Sequence, residues 1–424
     1  MNNNNNNKIK QTVQLKARTA KEATVKLSVM SAQQKNNFLA AIAEALQQNI
    51  KEILFHNKID VQTAKESKIS STLIDRLTLS DKRVKDIITG IKNVILLQDP
   101  VGTVAEKIKS SFDINVKKIR VPLGVIAMIY EARPNVTVDA ATLCLKAGNA
   151  VILKGGSEAL NTNRILAKII CKDGVKAGMP ENAVQFIDTA DRSAVQELLH
   201  LDNYIDLLIP RGSEEFVKFV KKNTTIPVLS HGKGLCHIYI DKDADIDMSI
   251  NIAINAKCQR PSVCNAMETL LIHKDIADKI LPKLCEIYSK KNVEIKGCEI
   301  SRNIVNTIKS AEEKDWITEY LDLKISIKVV NSLEKAISHI NKYGSKHSEA
   351  IITNNKTTAD KFISEVDAAA VFVNASTRLH DGSVFGLGCE IGISTQKLHA
   401  RGAMGIKELT TTKYVVKGNG AIRK

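Results

Sequence analysis

Residues 124–154 read GVIAMIYEARPNVTVDAATLCLKAGNAVILK, and this stretch predicts the fold. The runs GVIAMIY and AVILK are continuous and apolar, as in strands that are buried on both faces. Between them, DAATLCLKAG has the spacing of a helix. A strand, a helix and a second strand in this order predict a parallel βαβ unit, because parallel neighbours need a long crossover connection.

The same alternation continues along the chain. Further apolar runs follow as AVQFID (183–188), DLLIP (206–210) and CHIYID (236–241), with helical stretches between them. The alternation restarts after Arg260-Pro261, with strands predicted in ETLLIH (268–273), KISIKVV (324–330), EAIIT (349–353) and AAVFVN (369–374). We therefore expect an α/β protein with two doubly wound parallel-sheet domains, divided near residues 255–262.

Composition excludes several classes of protein. The 424 residues are 44% hydrophobic, which suffices for two or three cores, and no apolar run is long enough for a membrane-spanning helix. The N-terminus lacks the apolar segment of a secretory signal. Eight cysteines without metal-binding spacing predict free thiols in a reducing, cytoplasmic compartment and no metal site.

The formal net charge of +15 allows two interpretations. It is compatible with nucleic-acid binding or with an anionic small substrate. Lysines are scattered among acidic residues, and no Arg-rich or aromatic-studded basic stretch occurs. This distribution favours the small substrate.

Cys264 is the cysteine whose surroundings suggest chemistry. It lies in KCQRPSVCNAMETLLIH, in a polar, Pro-containing loop before a buried strand at the predicted domain junction. Lys257 and Arg260 are close in sequence, and positive charge favours a thiolate. The alternative is an ordinary buried thiol, as we expect for Cys258.

Three turns follow predicted strands, at the edge where open α/β sheets bind ligands. Asn135, in YEARPNVTVDAA (130–141), could donate to an oxyanion or simply cap a helix. LKGGSEALNTN (153–163) and PRGSEEF (210–216) each open a helix, whose free amides suit a phosphate.

Several long segments resemble the aldehyde dehydrogenase superfamily. They are KIRVPLGVIAMIYEARPNVTVDAA, QRPSVCNAMETLL, the stretch from Val330 through AISHINKYGSKHSEAI, and FGLGCEIGISTQKLHARG. The resemblance implies that Cys264 is the nucleophile and Asn135 the oxyanion donor. It also implies a set of cofactor-binding residues, namely Lys154, Ser157, Glu158, Gly212, Ser213 and Glu319, in which either Ser157 or Glu158 is the ribose partner.

Hydrolytic members of that superfamily carry a water-activating glutamate ahead of the cysteine. The corresponding segment here, VLSHGKGLCHI, has no carboxylate between Val228 and Cys236. His231 could be a base instead, although a lone His more often has a structural role. The resemblance is closer to members that reduce acyl phosphates. It implies NADPH-dependent reduction of L-glutamyl 5-phosphate to L-glutamate 5-semialdehyde in proline biosynthesis, through a Cys264 thioester.

The sequence leaves alternatives for the cofactor, the substrate and the roles of several residues. The residues do not separate NADPH from NADH, and the substrate could be another acyl phosphate or an aldehyde. An inactive scaffold or nucleic-acid-binding protein is the alternative from another class. Arg133, Arg260 and Arg401 are candidates for binding the substrate's anionic groups, or could form salt bridges. His339 and His347 are expected to shape the site or the fold, and Cys389 to be structural.

The resemblance also implies a domain organisation. We expect a disordered Asn-rich tail (1–10), a cofactor-binding domain (11–255) with oligomerisation strands near 111–121, a catalytic domain (256–400) and a C-terminal oligomerisation tail (401–424). The expected assembly is a homodimer, with a tetramer as the alternative. Because no kinase domain precedes the reductase, transient contact with a separate glutamate 5-kinase is a further hypothesis.

Overall fold

The structure is a computed structural model that describes residues 2–110, 112–230 and 232–423. Its α-helices are α1 Asn2–Leu27, α2 Ala32–Gln48, α3 Ile50–Glu66, α4 Ser71–Leu77, α5 Asp81–Leu96, α6 Pro134–Lys146, α7 Leu160–Lys176, α8 Ser193–Leu198, α9 Glu214–Lys222, α10 Ile246–Cys258, α11 Lys274–Lys290, α12 Glu299–Ile304, α13 Leu333–Tyr343 and α14 Lys356–Glu365. None of the helices in these residues is long and apolar enough to cross a membrane.

The strands are β1 Val104–Ile108, β2 Ile114–Pro122, β3 Val125–Tyr130, β4 Ala150–Gly155, β5 Val184–Phe186, β6 Leu207–Arg211, β7 Cys236–Ile240, β8 Met267–His273, β9 Glu294–Gly297, β10 Lys309–Ser310, β11 Lys324–Val330, β12 Ser348–Ile352, β13 Ala370–Val373, β14 Ile393–Ser394, β15 Gly402–Ala403 and β16 Thr410–Gly418.

The chain packs into two compact units. The first comprises Met1–Ser230, Gly386–Gly392 and Met404–Lys424, and the second comprises His231–Phe385 and Ile393–Ala403. The division falls earlier than the predicted boundary near 255–262. The reason is strand pairing, since β7 lies between β8 and β12 in the sheet of the second unit.

The first unit contains a four-stranded sheet in the order β5-β4-β3-β6. All its pairs are parallel, and β3 and β4 are buried throughout. The chain runs from β3 through α6 to β4 and through α7 to β5, and then returns to place β6 on the other side of β3. Successive connections therefore diverge between β3 and β6, which is the topological switch point of this sheet.

A second sheet of the same unit joins the two segments predicted to mediate oligomerisation. The central strand β2 pairs antiparallel with β1 and with β16, which comes from the C-terminal tail. Val416 and Tyr414 on β16 are exposed. The predicted strand within 111–121 is thus confirmed from Ile114 onward, residue 111 lies outside the described residues, and the role in assembly stays a prediction.

The N-terminal Asn run is helical, which differs from the predicted tail at 1–10. Helix α1 extends from Asn2 to Leu27 and packs its apolar face, including Val13, Ala17 and Ala20, against the unit. Once that face has formed helical turns, adding further residues at the N-terminus requires no new nucleation. Helices α2 to α5 follow α1 along the chain, before the first strand.

The second unit contains a seven-stranded sheet in the order β10-β9-β11-β8-β7-β12-β13. Its pairs are parallel. The central strands β7, β8 and β12 are buried along their whole length. Ile, Leu and Ala side chains of these strands and of α10 and α11 form the core.

Candidate active site

The carboxyl ends of β4 and β6 carry the residues predicted to bind the cofactor. Lys154 lies near the end of β4, and the short 3-10 helix Ser157–Ala159 follows it. Gly212 and Ser213 connect β6 to α9. Because β4 and β6 flank β3, both turns lie at the carboxyl edge of the sheet, and the turn after β6 adjoins the switch point. The first unit therefore gathers every predicted cofactor residue except Glu319.

The N-terminus of α9 already binds a carboxylate. The N–H of Ser213 donates to Oε2 of Glu131 over 3.1 Å, and a Cβ on Gly212 would lie 2.7 Å from the same carboxyl group. Burial raises the pKa of Glu131, and the hydrogen bond from Ser213 opposes this rise. A helix start that binds a carboxylate also suits a pyrophosphate, so these residues fit a dinucleotide that would replace the Glu131 side chain there.

Lys154 and Glu158 place opposite charges beside each other after β4. The Lys154 ammonium donates to the carbonyl oxygen of Gly155 over 2.7 Å. Burial lowers the pKa of Lys154, while the negative charge of Glu158 opposes this. The Glu158 carboxylate accepts from the N–H of Ala132, and Ser157 is exposed. The turn thus offers a cation for a phosphate and a carboxylate for a ribose hydroxyl.

Asn135 lies in the first turn of α6, shortly after β3. Its Nδ2 donates to Oδ2 of Asp139 over 2.9 Å. Burial raises the pKa of Asp139 to about 6, and the Asn135 hydrogen bond opposes this rise. The amide has a second N–H, which is the donor that the predicted oxyanion role requires. Ala132, just before the helix, has a φ of +37°, a strained conformation typical of ligand sites.

The second unit brings Cys264 to the amino edge of its sheet. Cys264 lies in the turn before β8 and is partly buried. Neighbouring strands begin at Cys236 (β7) and Ser348 (β12), and the first residues of parallel strands share one edge. The sequence predicted a strand after Cys264 but not which strands would flank it.

Gly234 contacts the backbone of Cys264 directly. A Cβ at position 234 would overlap the Cα and carbonyl group of Cys264, so only glycine fits there. The N–H of Gly234 donates to Oε1 of Glu319 over 2.8 Å. One glycine therefore contacts both the predicted nucleophile and the glutamate predicted to hold the nicotinamide ribose.

A buried network of polar side chains, which the sequence did not predict, begins at the carbonyl oxygen of Cys264. The Cys236 thiol donates to that oxygen over 3.2 Å and lies 3.7 Å from Nδ1 of His347. The same His347 nitrogen is 2.7 Å from Oγ of Ser348, which is 2.7 Å from Nδ1 of His380. Burial raises the pKa of Cys236, so its thiol stays protonated and can donate.

Lys257 does not provide the positive charge expected beside Cys264. Its side chain is fully buried, and Nζ lies 2.8 Å from Oε2 of Glu268. The N–H of Leu321 donates to the other carboxyl oxygen. Burial raises the pKa of Glu268 to about 7, and Lys257 opposes this rise. The prediction for Lys257 is therefore wrong, because a partner from β8 neutralises its charge.

The three candidate arginines have different surroundings. Arg401 donates to Oδ1 of Asp367 over 2.7 Å, and Lys346 and Lys397 bind the same carboxylate. Lys397, Lys346 and Arg401 together hold the pKa of Asp367 well below its usual range. This cluster favours the salt-bridge interpretation of Arg401. Arg133 precedes α6 and lies within electrostatic reach of Glu131.

Burial, and after it the positive charge of Arg260, lowers the pKa of Arg378, so Arg378 is a neighbour of Arg260 that the sequence did not indicate. Arg378 donates through Nε to Oε1 of Gln259 over 2.9 Å, and through Nη1 to the side-chain oxygen of Asn265. Asn265 directly follows Cys264. The segment STRLHDG, which contains Arg378, carries no local signal for a position near Asn265, since the contacts of Arg378 come from residues far away in sequence.

The two predicted histidines have separate settings. His347 belongs to the buried network that also contains Cys236, Ser348 and His380. His339 lies 3.3 Å from Nζ of Lys328 and packs edge-on against Trp316. Burial lowers the pKa of His339 to about 2, so it stays neutral within the core. His231 lies outside the described residues.

Comparison with known proteins identifies the family to which this chain belongs. A model of the aldehyde dehydrogenase family matches residues 5–327. The chain belongs to this family, and the expected aldehyde-dehydrogenase-like α/β fold is confirmed.

Individual relatives agree over nearly the full length. The chain is 54% identical over 416 residues to the gamma-glutamyl phosphate reductase of Halothermothrix orenii, covering 98% of this chain and 100% of the relative. It is 53% identical to that of Clostridium novyi, with 96% and 98% covered. The crystal structure of gamma-glutamyl phosphate reductase from Thermotoga maritima is similar with a TM-score of 0.94 and 47% identity, covering 97% of this chain and 100% of that one.

Proposed function

We propose that the chain reduces L-glutamyl 5-phosphate to L-glutamate 5-semialdehyde and phosphate, with NADPH as reductant, in proline biosynthesis. The names of the full-length relatives support this substrate. The observation that carries the proposal is the position of Gly234. Gly234 packs directly against the backbone of Cys264 and donates its N–H to Glu319. Because it has no side chain, both residues can lie close to it.

Cys264 acts as the nucleophile. Its thiolate attacks the γ-carbonyl carbon of the acyl phosphate, and an N–H of Asn135 donates to the oxyanion that forms. When the tetrahedral adduct collapses, the bond to the phosphate oxygen breaks and phosphate leaves with the electron pair. A thioester on Cys264 remains. Asp139 accepts the other N–H of Asn135 and so orients the amide.

The loop in front of Cys264 favours phosphate over water as the acyl group's other partner. Residues 232–235 read Gly-Lys-Gly-Leu and contain no carboxylate that could activate water. A bound nicotinamide cofactor supplies the hydride that reduces the thioester. The resulting thiohemiacetal on Cys264 then releases the aldehyde and regenerates the thiolate.

Residues at the carboxyl edge of the four-stranded sheet would hold the cofactor. The Ser213 amide and Gly212 suit the pyrophosphate, Ser157 or Glu158 the adenosine ribose, and Glu319 the nicotinamide ribose. The ammonium of Lys154 supports NADPH, because it can pair with the 2′-phosphate. The Glu158 carboxylate opposes that choice, so the preference depends on the balance between these two groups.

The proposal includes the substrate's anionic groups and the protein's assembly. Arg133 and Arg260 remain the proposed anion-binding residues, whereas Arg401 is assigned to its ion pair with Asp367. A homodimer formed through β2 and β16, a cytoplasmic location and transient contact with a glutamate 5-kinase complete the proposal. Light scattering and co-purification with the kinase test the first and last of these.

A serine substitution tests the central role of Cys264. We expect Cys264→Ser to abolish phosphate-dependent NADP⁺ reduction with glutamate semialdehyde, because a hydroxyl is a much weaker nucleophile than a thiolate. Cys258→Ser, six positions earlier, is the matched control and should remain active. Substantial activity in Cys264→Ser would exclude the proposed nucleophile. Turnover that does not depend on phosphate would instead indicate a simple aldehyde dehydrogenase.

A further inference from the structure

We propose that Arg378 and Arg260 form an oxyanion subsite beside Cys264 that binds the phosphoryl group of the acyl phosphate. This inference rests on the proposed function for the identity of the anion. Of the substrate's two anionic groups, the phosphoryl group is bonded to the carbon that Cys264 attacks. The α-carboxylate is separated from that carbon by three others, so the anion nearest to the nucleophile is the phosphoryl group.

Arg378 is held in place next to the nucleophile. Its Nε donates to Gln259 and its Nη1 to the side chain of Asn265, which follows Cys264. Asn265 in turn donates from Nδ2 to the carbonyl oxygen of His380 over 3.0 Å. Thr377 donates to the main-chain oxygen of Asn265 over 2.8 Å. These contacts leave Arg378 preorganised, which reduces the entropy lost on binding an anion.

The charges around Arg378 favour an anion there. Burial and then the positive charge of Arg260 lower the pKa of Arg378, whereas the negative charges of Asp381 and of the Cys264 thiolate oppose this. Arg260 and Arg378 thus repel each other within reach of the nucleophile, and Asp381 is the carboxylate whose charge acts on Arg378. Among the described residues, neither arginine forms a salt bridge. An oxyanion between them would relieve the repulsion and match the guanidinium geometry.

The subsite would act on the step that forms the thioester. As the bond between the acyl carbon and the phosphate oxygen breaks, its electron pair moves onto that oxygen. The guanidinium of Arg378, which its hydrogen bonds hold in place, and that of Arg260 stabilise the charge that develops. In the reverse direction, the same groups would bind inorganic phosphate as the attacking anion.

Alkylation of Cys264 tests the subsite without using enzyme activity. Iodoacetate is an anion and iodoacetamide is neutral, so the ratio of their rates reports the electrostatic potential at the sulfur. The modified residue is identified by mass spectrometry of the full-length protein. We expect Arg378→Gln and Arg260→Gln each to lower the iodoacetate-to-iodoacetamide ratio by about fivefold. Inorganic phosphate should slow iodoacetate in the wild type and much less in either variant.

The controls separate charge from structure. Arg302→Gln removes an exposed arginine of the same unit and should leave the ratio unchanged. If Arg378→Gln disturbs the loop that contains Cys264, the rate at which iodoacetamide alkylates Cys264 also changes. The ratio measured for Arg260→Gln then decides whether the subsite exists. An unchanged ratio in both variants, or the same loss in Arg302→Gln, would overturn the proposal.

A kinetic measurement distinguishes this inference from the proposed function. Arg378→Gln should raise KM for phosphate about tenfold in the oxidative direction, and Arg378→Lys should raise it less. Full activity of the wild type with an unchanged KM in Arg378→Gln would refute the subsite alone. Absence of wild-type activity with glutamyl phosphate, together with the expected alkylation ratios, would refute the substrate and leave the anion site intact.

Discussion

The thiol of Cys236 donates a hydrogen bond to the carbonyl oxygen of Cys264 over 3.2 Å, which couples the first residue of β7 to the predicted nucleophile. Cys236→Ala removes this donor, and a net hydrogen bond contributes about 1 kcal/mol. We expect kcat/KM to fall about fivefold, whereas Cys236→Ser should retain most of it. Cys285→Ala, a buried thiol of α11, is the control for general destabilisation, and an equal loss there would contradict the prediction.

Gly234→Ala should be the most damaging small substitution in the second unit. The added methyl group would overlap main-chain atoms of Cys264, which cannot move aside as the end of a flexible side chain can. Displacing a nucleophile by about 1 Å lowers the rate about 100-fold. Gly232→Ala is the matched control, because the only described atom that its Cβ would meet is the Thr395 hydroxyl oxygen, at 3.3 Å. Steady-state kinetics and thermal unfolding of both variants check this, and near-normal kcat in Gly234→Ala would refute it.

Cofactor preference should shift when the charge of Glu158 is removed. Gln can still accept the hydrogen bond from Ala132 but no longer repels a 2′-phosphate. We expect Glu158→Gln to raise the ratio of kcat/KM for NADPH over NADH about tenfold, and Lys154→Gln to lower it. Measuring both cofactors with each variant checks this. Equal ratios in all three proteins would show that neither side chain lies near the ribose.

Stability at acid pH should depend on His380. Burial lowers the pKa of His380 from 6.5 to about 4. Between these values the unfolded chain binds a proton that the folded chain does not, so acidification from pH 6.5 to 4 lowers the free energy of unfolding. The full contribution is about 3 kcal/mol.

Denaturant unfolding at several pH values tests this contribution. In His380→Gln the decrease in stability between pH 6.5 and 4 should be smaller by that amount, whatever the absolute stability of the variant. His200→Gln is a control, since His200 is exposed. Identical pH dependence of the His380→Gln variant and the wild type would show that His380 titrates normally.

The class of fold and the identity of the central residues could be predicted from local patterns. Apolar runs buried on both faces, separated by helical spacing, indicated parallel sheets. Cys264 before a strand, and turns after β3, β4 and β6, followed from the order of elements. The resemblance added roles for Asn135 and Glu319 that no spacing indicates.

Tertiary structure alone decided what surrounds Cys264. The pairing of β7 with β8 and β12 assigns Cys236 to the second unit and brings His347, Ser348 and His380 to the same edge. Tertiary contacts also gave Lys257 a buried partner, Glu268, and placed Arg378 beside Asn265. Periodicity is a property of neighbours along the chain, whereas strand order and the partners of buried charges are set by contacts between distant segments. The sequence by itself therefore determined the fold class and singled out Cys264 as the predicted nucleophile, and only the folded chain determined which groups surround that residue.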